Sequence, residues 1–209
     1  MNIMELIRQS IVNTNAERPC EYLFLWKWLT PLLPLPTYVK REIKILDVGG
    51  AESNLAKTLA ELGFDTTVID INPVEHGKAK YIKANILQYE FPENTFDIIL
   101  SISTIEHVGL KAYGQKVEDQ EGDIKTIQKI YKWLKPDGIS IITLPYGKPH
   151  HPPTFERVYN QETLTNRILI DKWEIIEMQY ATNMNGWSYC TEAEAQDKDS
   201  VILLILKKP

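Results

Sequence analysis

Cysteine is scarce in this chain. Its 209 residues include only Cys20 and Cys190, and neither stands in a Cys-x-x-Cys or Cys/His spacing. A disulfide framework is excluded as an organising device, and a reducing cytoplasmic setting is the default expectation. A basic excess is also missing, with 23 Lys and Arg against 28 Asp and Glu and a net charge of −5. Proteins that grip phosphate backbones carry the opposite balance, so no nucleic acid partner is expected. Long apolar runs are absent too. The most apolar stretch, 22–36 (YLFLWKWLTPLLPLP), is broken by Lys27 and three prolines and is too short for a membrane span. Glu5 and Arg8 interrupt the N-terminal residues, which do not read as a secretory leader. No metal site is expected: the adjacent His150 and His151 sit in a proline-rich loop, without the strand or helix that would make them joint ligands.

What the chain does have is an ordinary globular composition, 44% hydrophobic and 24% charged. A compact domain of this size buries roughly 70% of its unfolded surface, so a substantial core is available. Two N-terminal helices are expected, Ile3–Val12 and an apolar Glu21–Leu33 that stops at the prolines. Tyr22, Phe24, Trp26 and Trp28 at alternate positions spread around such a helix, which favours burial on the domain itself or in a homodimer over a single stripe. A lid over a ligand is the other use of such rings. Thr37–Glu42 reads as linker, giving an N-terminal arm or lid over 1–42 and a main domain over 43–209.

From Ile43 onward the pattern alternates. Strands are expected at Ile43–Val48, Asp65–Asp70, Lys80–Asn85, Thr95–Ser101, Ile139–Leu144, Trp173–Thr182 and Val201–Lys207. Helices are expected at Ser53–Gly63, with Ser53 as N-cap and Gly63 as stop, at Gly122–Lys135, and at Gln161–Leu169. Alternation of this kind implies an α/β fold, a doubly wound and mainly parallel seven-stranded sheet. Thr182–Ser200 shows no helical pattern, so the last two strands are expected to form an antiparallel hairpin at one edge.

In an open α/β sheet, ligands sit at the carboxyl ends of the strands. The first strand ends in Asp47-Val48-Gly49-Gly50-Ala51-Glu52-Ser53, a small-residue turn into a helix that lets a ligand approach the backbone. The second ends at Asp70, where an acid can accept hydrogen bonds from a ribose diol. The third ends at Asn85. The fourth ends at Ser101 and runs into Ser103-Thr104-Ile105-Glu106-His107, and the fifth ends in Leu144-Pro145-Tyr146-Gly147. The first two ends together point to a nucleoside-type ligand. His107, with Glu106 beside it, is the candidate base. The loop 146–159 (YGKPHHPPTFERVY) offers Tyr146, His150, His151 and Arg157 to a polar or anionic acceptor, and Trp187 is placed at the pocket rim.

The succession DVGGAES, VIDINP, AN, PENTFDIILSISTIEHV, LKPDG and ITLP resembles a class I S-adenosylmethionine-dependent methyltransferase. Residues 103–114 and 121–123 are similar to a narrower, type 11-like group that accompanies glycan or secondary-metabolite genes. The resemblance implies a Rossmann-like fold, S-adenosyl-L-methionine as cofactor, and methyl transfer to a small-molecule acceptor such as a sugar or metabolite hydroxyl. It also implies roles. Asp47, Gly49, Gly50 and Ala51 would line the methionine and sugar. Asp70 would hold the ribose hydroxyls with Ile71 against adenine, and Asn85 and Ile86 would flank the base. Ser101 would present its carbonyl to the methionine amino group. Ala51 and Ser53 stand where the usual turn has its second and third glycines, which requires ordinary backbone dihedrals there.

Two rival readings come from other classes. A nicotinamide oxidoreductase would use the same turn and acid, but Gly49–Asn54 does not fit Gly-x-Gly-x-x-Gly. Tyr131 and Lys135 have Tyr-x-x-x-Lys spacing, yet Lys135 abuts Pro136 at a helix end and points away from the crevice. A non-enzymatic cofactor-binding protein is the other rival, motivated by the two missing glycines.

Overall fold

The structure, a computed structural model, describes residues 17–115, 118–149, 153–183, 186–196 and 199–209 together with Glu5, Arg8 and Ser10. Eight strands form one sheet: β1 (Lys44–Val48), β2 (Asp65–Asp70), β3 (Lys80–Lys83), β4 (Phe96–Ile102), β5 (Leu134–Tyr146), β6 (Glu174–Asn183), β7 (Trp187–Cys190) and β8 (Ser200–Lys207). Their order is β3-β2-β1-β4-β5-β8-β6-β7. The first five pair in parallel, and β8 runs antiparallel to both β5 and β6. This is the expected mixed α/β sheet with one strand more.

The antiparallel edge stands as expected and gains one strand. β6 and β8 do pair as antiparallel neighbours, but β8 inserts between β5 and β6 and so lies inside the sheet. The edge strand is β7, in the stretch that showed no pattern, and it pairs with β6 from Tyr180 to Asn183. The physical reason is burial. β8 reads SVILLILK and is covered on both faces, as an interior strand must be, whereas the first half of β6 is exposed or half-exposed.

Period-two alternation sorts most of the sheet's apolar residues into two large cores. Leu46, Ile99, Ile142 and Leu204 meet Ile127, Ile130 and Trp133 of α4 (Gly122–Trp133) and Leu164 of α5 (Gln161–Arg167) on one face. Ile45, Ile98, Leu100, Ile141 and Leu203 meet α1 (Arg18–Leu29) and α3 (Leu55–Glu61) on the other. Tyr22, Phe24 and Trp26 of α1 are buried in this second core, at about 1.5–3 kcal/mol for a large apolar side chain. Residues 18–29 thus supply a layer of the sheet packing, and Trp26 Nε1–H donates to Ser10 Oγ at 3.2 Å.

Several boundaries differ from expectation. The stretch read as linker forms a short helix, α2 (Thr37–Lys40). The helix after β1 starts at Leu55 rather than Ser53, because Gly50–Glu52 first forms a 3₁₀ turn. Ser53 is extended and its Oγ accepts from Leu55 N–H at 3.2 Å. Gly63 does end the helix, at φ +101°. β5 begins at Leu134, inside the segment assigned to helix, and crosses an irregularity at Asp137 (φ +62°) before regular pairing resumes at Ile139. A further short helix, α6 (Glu192–Ala195), follows β7. The expected helix Ile3–Val12 lies largely outside the described residues.

Candidate active site

At the carboxyl ends of β1, β2 and β4 lies a cleft of about 350 Å³, in the size range of small-molecule sites. Gly49, Ala51, Asp70, Ile71, Asn85, Ile86 and His107 of the expected residues line it together. Gly49 adopts φ +80°, and a Cβ there would run into the Thr104 side chain, so only glycine fits. The turn then continues with ordinary dihedrals through Ala51 and Ser53, which is why it tolerates side chains at those two positions.

Asp70 closes β2 at the cleft wall. Its Oδ2 accepts from Ala51 N–H at 2.9 Å and its Oδ1 from Asn72 N–H at 2.7 Å. An ionised carboxylate has about four acceptor positions, so these two bonds leave it acceptor capacity. Burial raises the Asp70 pKa, and the backbone N–H groups of Asn72, Ala51 and Ile71 oppose that rise. Asn85 Oδ1 accepts from Leu87 N–H at 2.9 Å, an Asx turn that holds the residue at the cleft.

Some assignments need correction. Asp47 does not line the cleft. It is buried beneath Gly50, whose Cβ position lies 2.9 Å from Asp47 Oδ2. Burial, then the charge of Asp70, pushes its pKa up to about 7. Gly50 is buried as well and serves packing against Val68. Ser101 is fully buried within β4, and the wall there is made by Ser103 and Thr104 instead. The strand stays regular through Ile102, and the chain turns only at Ser103, at φ +44°.

His107 lines the cleft from the 3₁₀ turn Ile105–His107, which follows β4. Its Nδ1 lies 2.8 Å from the Phe155 carbonyl oxygen, so Nδ1 carries the proton and Nε2 of the neutral ring is an acceptor. Burial lowers its pKa, with the Phe155 hydrogen bond and Glu156 opposing. Glu106 lies behind it, 1% exposed and off the cleft wall, with Oε1 3.7 Å from His107 Nε2. Burial raises the Glu106 pKa well above its ordinary value.

The acceptor-side assignments mostly fail. Tyr146 is buried and its hydroxyl bonds Glu192 Oε1 at 3.0 Å. Arg157 is 5% exposed and directed to backbone carbonyls. Trp187 sits on β7 against the α1 core, away from the cleft. In each case the side chain finds its partners inside the fold. His150 and His151 lie outside the described residues.

The cleft also holds residues that the sequence reading missed: Arg18, Glu52, Tyr113 and Gln115, besides Ser103 and Thr104. Arg18 arrives from α1, where Glu21 is fully buried and accepts from Arg18 Nη1 at 3.0 Å, Ser103 Oγ at 2.6 Å and Thr143 Oγ1 at 2.5 Å. Nothing local in the sequence signals that network, which joins positions as far apart as 21 and 143. Tyr113, at φ +52°, packs edge-on against the His107 ring with centroids 5.0 Å apart. A left-handed residue of this kind costs about 1–3 kcal/mol and is concentrated at functional sites.

A glycine turn after β1, a carboxylate closing β2 and an amide side chain at the end of β3 suit an adenosyl ligand, and the backbone approach at Gly49 supplies its cradle. The class this fold and cleft define is the S-adenosylmethionine-dependent methyltransferases of class I. Residues 20–194 match the family model described as "Methyltransferase domain", and the chain belongs to that family. The phosphoethanolamine N-methyltransferase of Plasmodium falciparum is 39% identical over 111 residues, covering 48% of this chain and 38% of its own length. The ubiquinone biosynthesis O-methyltransferase of Rickettsia akari is 31% identical over 112 residues, covering 49% and 40%. The chain thus spans well under half the length of these curated relatives. Among solved structures, the 1,6-didemethyltoxoflavin-N1-methyltransferase of Burkholderia thailandensis, with S-adenosylhomocysteine bound, aligns at a TM-score of 0.57 and 13% identity, covering 96% of each chain. A methyltransferase of Mesorhizobium loti aligns at 0.59 and 14% identity, covering 93% and 99%. These likenesses show the fold. The cofactor is S-adenosyl-L-methionine.

Lys135 Nζ bonds both carboxylate oxygens of Asp97 at 2.8 Å, at the strand ends opposite the cleft. Tyr131 packs on Trp173 at 4.8 Å. The Tyr-x-x-x-Lys pair is therefore structural and lies away from the cleft.

Proposed function

We propose that this chain transfers a methyl group from S-adenosyl-L-methionine to a small-molecule acceptor, at a hydroxyl of a sugar or metabolite, with His107 as proton acceptor. The observation that carries the reading is the committed tautomer of His107. Nδ1–H is engaged by the Phe155 carbonyl, and Nε2 belongs to a ring that lines the cleft.

S-adenosyl-L-methionine, when bound, supplies a methyl carbon already activated on a sulfonium. The chain's own tasks are to seat the donor, align the acceptor and take its proton. Asp70 and Asn85 serve the adenosine. His107 Nε2 receives the hydroxyl proton as the new carbon–oxygen bond forms and the carbon–sulfur bond breaks. General-base help of this kind is worth about 10²–10⁴-fold. A histidine pKa held low by burial keeps the ring neutral and able to accept at physiological pH.

The test is methyl transfer from isotopically labelled donor to a panel of hydroxyl, amine and carbon acceptors, since the relatives' names span N- and O-methyltransferases. Label recovered on oxygen, and lost with His107→Ala, supports the reading. Label on nitrogen or carbon overturns the hydroxyl assignment, and full activity of His107→Ala overturns the base.

A further inference from the structure

Arg157 was expected to reach an anionic acceptor, yet its side chain turns into the protein. Nη1 donates to the carbonyls of Glu106 at 3.1 Å and Val108 at 2.7 Å, and Nη2 to those of Asp119 at 3.1 Å and Gln120 at 3.4 Å. Nε lies 3.5 Å from Asp123 Oδ1. All three guanidinium nitrogens therefore face acceptors. Asp123, fully buried, is itself fixed by Arg167 at 2.6 and 2.8 Å and by the Tyr159 hydroxyl at 3.0 Å.

These carbonyls belong to the loop that carries His107. Residues 105–109 and 118–122 lie at backbone contact, because a Cβ at Gly109 would strike the Asp119 carbonyl and one at Gly122 the Val108 carbonyl. Arg157 joins the two limbs. Its backbone N–H also donates to the Glu106 carbonyl at 3.1 Å. Gln115 Nε2–H holds the carbonyl of His107 itself at 2.8 Å. Three successive carbonyls, 106 to 108, are thereby pinned. Two residues before Arg157, the Phe155 carbonyl takes the His107 Nδ1–H, and the Phe155 and Tyr113 rings pack against the imidazole at 4.8 and 5.0 Å.

We propose that Arg157 is the positioning residue of the transfer: by clamping the carbonyls on either side of His107 while its own segment presents the Phe155 carbonyl, it holds the imidazole in one orientation and one tautomer, with Nε2 kept as the unprotonated nitrogen. The proposal rests on the reading of His107 as proton acceptor. Arginine is required because four carbonyls in two directions need a planar fork of donors. A lysine ammonium, a single point with three donors, cannot span them.

The test needs no acceptor. Full-length protein saturated with S-adenosylhomocysteine is labelled with ¹⁵N-histidine, and the imidazole spectrum of His107 is recorded for wild type and Arg157→Lys. Wild type is expected to show the Nδ1–H tautomer alone. Arg157→Lys is expected to show both tautomers, with S-adenosylhomocysteine affinity changed by no more than about twofold because the adenosine contacts lie elsewhere. On a competent acceptor, kcat should fall about 10²-fold with the donor KM unchanged. A wild-type spectrum with Nε2–H, or an unchanged single tautomer in Arg157→Lys, overturns the proposal. Should Arg157→Lys fail to bind S-adenosylhomocysteine, the wild-type spectrum and Arg157→Gln give the same decision. A locked tautomer alongside full activity of His107→Ala would overturn the proton-acceptor reading instead.

Discussion

The two halves of the cleft are built in different ways. The half proposed to seat the donor, from Gly49 through Asp70 to Ile86, consists of short contiguous turns at the ends of three neighbouring strands. Its polar contacts are largely local, such as Asp70 with Asn72 and Asn85 with Leu87. The half around His107, proposed to face the acceptor, is held by remote pieces: α1 through Arg18 and Glu21, the loop after β4, and the segment 155–159 behind it. A contiguous motif can be read from a string of letters. An assembly of remote pieces cannot, because its partners are chosen by packing.

The largest expected effect tests the acceptor half directly. His107→Ala should lower turnover about 10²–10⁴-fold, and steady-state kinetics should show donor affinity unchanged. A drop in donor affinity of the same size would mean that the two halves are not separable. Next comes Glu21→Ala. It leaves Arg18 without its partner and removes the acceptor for Ser103 and Thr143, so unfolding free energy should fall by about 3–5 kcal/mol. Denaturant titration measures this, and a loss below about 1 kcal/mol would show the network to be dispensable.

Asp70→Ala probes the donor half. Each charge-assisted hydrogen bond to the diol is worth about 1.5–3 kcal/mol. Calorimetry should show S-adenosylhomocysteine affinity weakened by about tenfold or more, while His107→Ala leaves it alone.

The smallest effect concerns Asp47. Its folded-state pKa, about 7, lies above the unfolded carboxyl value. The folded protein therefore binds the proton more tightly. The stability this contributes is complete below the unfolded pKa and is lost as pH rises through about 7. Asp47→Asn should flatten that decline, raising the melting temperature at mildly alkaline pH by a few degrees, about 1 kcal/mol, with little change in acid. Parallel thermal scans at the two pH values check the sign, and an equal shift at both would refute the raised pKa.

The sheet was legible for a similar reason. Strands β1, β2 and β4 alternate so regularly that Ile45 and Leu46, or Ile98 and Ile99, fall on opposite cores. The place of β8 was legible in principle, since VILLIL admits no solvent face, and the expectation of an antiparallel pair at one edge left the order within that pair open. β7 was not legible. Trp187–Cys190 is too short to carry a period and exists because β6 offers it an open edge. Arg157 shows the limit most plainly. A polar residue in a loop beside a ligand site reads as a ligand contact, and only the carbonyls of Glu106, Val108, Asp119 and Gln120 reveal that it faces inward.

By itself the sequence determined the alternating α/β pattern, the glycine turn after β1, the carboxylate that closes β2 and the histidine after β4. These follow from hydrophobic period and from backbone conformations that few residues permit, both local properties of the chain. Tertiary structure decided which of those groups face the cleft, which lie beneath it, and which tautomer His107 holds. Those outcomes depend on burial and on hydrogen-bond partners that sit 48 residues away at Phe155, or 82 residues apart between Glu21 and Ser103.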